Sequence, residues 1–83
     1  MNKPEFNDYL TREITAALQR ISPKLSKSDR VDWGRVAFLK ALKALVDGAV
    51  SPEDLGTVGA VNDVVQALGL LQGGKTLLDE LDP

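Results

Sequence analysis

Apolar side chains return every three or four positions along most of this chain, and that spacing predicts α-helix rather than strand. Phe6, Leu10, Ile14, Ala17, Leu18 and Ile21 form one such series, with Asp8, Arg12, Gln19 and Arg20 on the opposite side. Asn2 followed by Glu5 has the form of a capping box, Pro4 suits a first turn, and Ser22-Pro23 stops the run. A first helix from about Lys3 to about Ile21 follows. Tyr9 falls on the margin of its stripe.

After the polar connector Ser22–Ser28 comes the most apolar segment. Val31, Phe38, Leu39, Ala41, Leu42, Leu45 and Val46 fill a broad arc, leaving Lys40 and Lys43 on a narrow polar strip and marking a central helix. Its N-cap is either Ser28 or Asp32, and the cost of Gly34 inside a helix favours the later start. Asp47-Gly48 ends it. Ser51 then caps a new helix with Pro52 first, Glu53 and Asp54 at its positive end and Val50 placed to staple onto Leu55. Three glycines, 56, 59 and 69, weaken a single long helix here, so a break around Gly59-Ala60-Val61 is expected. Asn62 would cap a further helix to about Gln72, ended by Gly73-Gly74. Thr76–Asp79 starts a last turn, and "TLLDELDP" docks its leucines onto the domain. The fold class read from this pattern is all-α: one domain over residues 1–83, a compact bundle of four or five short helices.

Residues "FLKALKALVDGAVSPEDLGTVGAVNDVVQALGLLQGG", within roughly residues 36–74, resemble the three-helix portion of helix-turn-helix and winged-helix modules: apolar helix, S-P-E-D-L helix, small-residue corner, V-V-x-x-L helix. The resemblance implies that Asn62, Asp63, Gln66, Gly69 and Gln72 form the outward face of a recognition helix. That face contains no lysine or arginine, whereas grip on a nucleic acid comes largely from cations on phosphates.

Composition narrows the chemistry. Of 83 residues, 43% are hydrophobic and 27% charged, too apolar for disorder and too interrupted by charge for a membrane span. The N-terminal residues lack the apolar run of a secretion signal, so a cytoplasmic location is expected for this small acidic protein. There is no histidine and no cysteine, which removes the imidazole base, the thiolate nucleophile and the usual ligand sets for zinc, haem or iron–sulfur clusters. Glu53 and Asp54, the one acidic pair at a structured corner, are explained by the helix dipole. Gly73-Gly74-Lys75-Thr76 lacks the upstream glycines and strand of a phosphate-binding loop. No catalytic, cofactor or metal site and no small-molecule substrate is expected.

Charge is segregated. Residues 1–46 hold nine Lys/Arg against five Asp/Glu, a net +4, and residues 47–83 hold one Lys against seven Asp/Glu, a net −6. Two partners fit this asymmetry. Trp33, the only tryptophan, sits about 150° from the middle of the core arc beside Val36, Ala37, Lys40 and Ala44, which makes that side of the central helix a candidate protein interface, including one in a homodimer. Alternatively the connector folds the indole over helix 1, or Trp33 precedes the regular helix. The second partner is nucleic acid, held on its phosphates by Arg30, Arg35, Lys40 and Lys43. The leading expectation is a non-enzymatic interaction or regulatory module, with a nucleic-acid-binding regulator as the alternative.

Overall fold

Three α-helices and one short 3-10 turn build the structure: α1 (Lys3–Arg20), α2 (Lys27–Asp47), α3 (Pro52–Ala67) and η1 (Leu77–Glu80). The computed structural model describes all 83 residues. The chain is all-α as its periodicity predicts, with three helices where four or five are expected.

α1 begins on a complete capping box, the Asn2 side chain accepting from Glu5 N at 2.9 Å and Glu5 Oε1 accepting from Asn2 N at 3.0 Å. α1 and α2 form an antiparallel hairpin. Asn7 near the start of α1 bonds to Asp47 and Lys43 near the end of α2, while Arg20 at the end of α1 reaches Asp32 in the first turns of α2. Gly48, at φ +75°, then turns the chain, its N–H and that of Ala49 bonding to Leu45 O and Ala44 O at 3.2 and 2.9 Å. α3 starts where expected, with Ser51 Oγ accepting from Asp54 N at 3.1 Å.

Two expectations are corrected. The first concerns the start of α2, which is capped by Ser26 rather than Ser28 or Asp32. Ser26 Oγ accepts from Asp29 N at 3.2 Å and the Asp29 carboxylate accepts from Ser26 N at 2.9 Å, so the reciprocal bonds outweigh the roughly 1 kcal/mol cost of enclosing Gly34. The second concerns residues 52–72, where no break occurs at Gly59–Val61 and the helix-turn-helix corner is therefore absent. A continuous helix places Val58, Asn62 and Val65 on one face. Val58 is 1% exposed, and the buried Asn62 Oδ1 accepts from Leu77 N at 3.0 Å instead of capping a helix. Packing overrides the glycine propensities. The helix ends at Leu68, with Gly69 at φ +76° and the N–H groups of Gly69 and Leu70 bonding to Gln66 O and Val65 O at 2.9 and 3.1 Å.

The core gathers Leu10, Ala41, Leu42, Val46 and Val58, with Phe6, Phe38, Leu39, Leu45 and Leu78 packed around it. The tail closes one flank of this cluster: η1 brings Leu78 in, Gln66 bonds to Lys75 O, and Met1 N–H donates to Asp82. Only 11 of 83 residues are buried, and the radius of gyration is 14.0 Å. A compact chain of this length would have about 12 Å, so the molecule is elongated. Val31, on the expected core arc, is 59% exposed and lines an open groove with Glu13, Arg20 and Arg35.

No atom lies within 4 Å of the position a Cβ would take at Gly34 or Gly59. Gly34→Ala and Gly59→Ala are each expected to raise stability by about 0.5–1 kcal/mol, read as a higher urea midpoint. A loss of stability would mean that these helix surfaces are occupied.

Candidate functional site

α2 is covered from two directions. Asp32 and Lys43 bond to Arg20 and Asn7 of α1, and Ala41, Leu42 and Val46 meet both Leu10 of α1 and Val58 of α3 in one cluster, with Phe38, Leu39 and Leu45 packed against it. What remains is a strip carrying Arg30, Trp33, Ala37, Lys40 and Ala44. At about 100° per residue these five stay within about 80° of one another. Trp33 lies within α2, 46% exposed, and neither covers α1 as a buried residue nor precedes the helix.

Of the expected interface, Trp33, Ala37 and Lys40 are exposed and Ala44 is half-buried, so these four are brought together on one surface. Val36 is corrected: it is 2% exposed and belongs to the core, on the side facing α1. The averaged core arc of α2 merges two separate packed faces, and its centre therefore misplaced Val36.

The cations of the nucleic-acid alternative do not form one patch. Arg30 and Lys40 share the Trp33 strip, about 80° apart, whereas Arg35 stands about 140° from each. Lys43 Nζ is held by Asn7 Oδ1 at 2.7 Å and Asp47 Oδ2 at 2.9 Å, and the Lys43 ammonium together with the Asn7 amide keeps the Asp47 carboxyl below its usual range. Arg35 Nε stands 4.0 Å from Asp32.

The hairpin end carries a polar cluster that the pattern of apolar residues does not reveal. Asp29, 4% exposed, accepts from Ser22 Oγ at 2.7 Å, Ser22 N at 3.0 Å and Ser26 N at 2.9 Å, and these donors lower its carboxyl to about 2. Asp32, 6% exposed, accepts from Arg20 Nη2 at 2.7 Å, and that guanidinium holds its carboxyl down as well. The sequence signal is the spacing Ser22, Ser26, Asp29: two hydroxyl residues four positions apart in the connector and a carboxylate at the third residue after the cap.

Beside it lies one open groove of about 430 Å³, lined by Glu13, Arg20, Ser28, Val31, Asp32 and Arg35. Its two cations face two carboxylates. No group of three or more Asp or Glu side chains converges to hold a metal, and no helix is long and apolar enough to cross a membrane. Neither a protein family, nor a curated protein, nor a solved structure matches this chain.

Proposed function

We propose that this chain is a non-enzymatic, regulatory protein-interaction module that associates with its own copies through the Trp33 side of α2. The observation that carries the reading is the exposed strip: a half-exposed indole on a regular helix, with exposed Ala37 and Lys40 and half-buried Ala44 on the same side. An indole offers more apolar area than any other side chain, and tryptophan anchors are enriched where protein surfaces meet. The turn of Arg35 away from Arg30 and Lys40 and the commitment of Lys43 to α1 and Asp47 favour a protein partner over a polyanion.

Trp33→Ala tests the reading. Association measured by sedimentation equilibrium is expected to weaken at least about tenfold with the far-UV spectrum unchanged. Undiminished association of the variant would contradict it. Duplex DNA that retains the protein at low salt and releases it steeply with added salt would favour the nucleic-acid alternative.

A further inference from the structure

The Trp33 strip has a counterpart on the same molecule. The outer side of α3, turned about 180° from Val58, carries Glu53, Gly56, Ala60, Asp63 and Ala67, all exposed. We infer that this acidic side of α3 in one copy docks on the basic Trp33 strip of α2 in the next. The inference rests on the reading of Trp33 as the docking face and adds the identity of what it meets.

Three observations carry it. The strips share one spacing, 30, 33, 37, 40, 44 against 53, 56, 60, 63, 67, a constant offset of 23 residues. Laid parallel at that offset, Arg30 faces Glu53, Lys40 faces Asp63, and alanines face each other at 37/60 and 44/67. Each strip carries charge of one sign only, two cations on α2 and two carboxylates on α3, so the match is electrostatic as well as steric. Trp33 falls opposite Gly56. That glycine weakens its own helix by about 1 kcal/mol, and nothing in the fold stands within 4 Å of where its Cβ would be. A flat site beneath an indole accounts for it. Val64, 57% exposed, borders the same side of α3 and extends the apolar area.

Other pairings of the strips fit worse. Run antiparallel, Arg30 meets Ala67 and Ala44 meets Glu53, so both charge matches are lost. Two parallel α2 strips would set Arg30 against Arg30 and Lys40 against Lys40, and two antiparallel ones set Arg30 against Ala44 and Lys40 against Trp33, with no pair of opposite charges in either. Within one chain α3 runs back along α2 on its Val58 face, which leaves the outer strip for another molecule. The contact therefore joins unlike faces, head to tail. Each added copy leaves one α2 strip and one α3 strip free, so the assembly grows with concentration or closes into a ring.

The test uses two full-length double variants, Arg30→Glu with Lys40→Glu on the α2 strip, and Glu53→Lys with Asp63→Lys on the α3 strip, with helicity followed by circular dichroism. Sedimentation of wild type is expected to show a mass that rises with concentration. Each double variant alone, with like charges on both strips, associates at least tenfold more weakly, and their equimolar mixture regains concentration-dependent growth, because the wild-type pair of strips and the charge-reversed pair are both matched. If a double variant loses helicity, Gly56→Leu replaces it: the added side chain fills the site beneath Trp33 and lowers association at least tenfold while helicity stays. Self-association of the α3-strip variant alone, or a mixture that stays monomeric while wild type associates through Trp33, overturns the head-to-tail contact and leaves the Trp33 reading standing. A wild type that stays monomeric up to about 1 mM, or whose association ignores Trp33→Ala, overturns the Trp33 reading itself.

Discussion

Replacing Leu10 with alanine is expected to cost about 2–5 kcal/mol and to leave much of the population unfolded at 37 °C. Leu10 is 1% exposed and is the residue of α1 that meets Ala41, Leu42 and Val46 of α2 and Val58 of α3 in one cluster. A chain of this length has a total stability of roughly 4–12 kcal/mol, so one emptied site removes a large share of it. The thin core leaves little to compensate, and Phe6 and Leu78 are the partly buried neighbours left to close over the gap. Urea unfolding at a dilution where the chain is monomeric measures the change. A loss below about 1 kcal/mol would mean that α1 does not share its core with α2 and α3.

The second large effect is at the hairpin end. Asp29→Ala leaves Ser22 N, Ser22 Oγ and Ser26 N without their shared acceptor and removes half of the capping box of α2, so a fall of roughly 10 °C in the unfolding temperature is expected. The same carboxylate sets an acid limit. Its folded pKa, about 2, lies below the unfolded value near 3.9, so its contribution is complete above about pH 5 and is lost as pH falls toward 2. Asp32, held down by Arg20, adds to the limb in the same direction, as do Asp47 and Asp79. Asp29→Ala is expected to make this acid limb shallower without abolishing it. With no histidine in the chain, stability between pH 5 and 7 should stay nearly level. Thermal unfolding from pH 7 to pH 2 checks both points, and an acid limb of unchanged slope in the variant would contradict the assignment.

Local chemistry made much of this fold legible. Asn2, Pro4 and Glu5 announce α1, Asp47-Gly48 ends α2, and Ser51-Pro52 starts α3, because a cap satisfies its hydrogen bonds within a few residues of sequence. Features that depend on distant partners were hidden. Asp29 is a cap and a loop anchor together, and its link to Ser22 needs the α1–α2 turn to exist first. The continuity of α3 depends on Val58 finding Leu42 and Val46, and on Asn62 finding the backbone of Leu77. Val31 and Val36 exchanged expected places for a related reason: helical phase says which side chains share a direction, and only the reach of neighbouring helices says which direction is covered. Trp33 stood out because it lies off the apolar arc, a property of the sequence alone, and its exposure on α2 agrees with that reading.

If copies dock through Trp33, its indole is open in a single copy and covered by another. The most direct measurement is the emission maximum and iodide quenching of Trp33, the only tryptophan, across a dilution series. Emission that is red-shifted and readily quenched in dilute solution, moving to the blue and becoming protected as concentration rises, is the expected result. Blue-shifted, protected emission that does not change on dilution would place the indole inside its own chain and contradict the account.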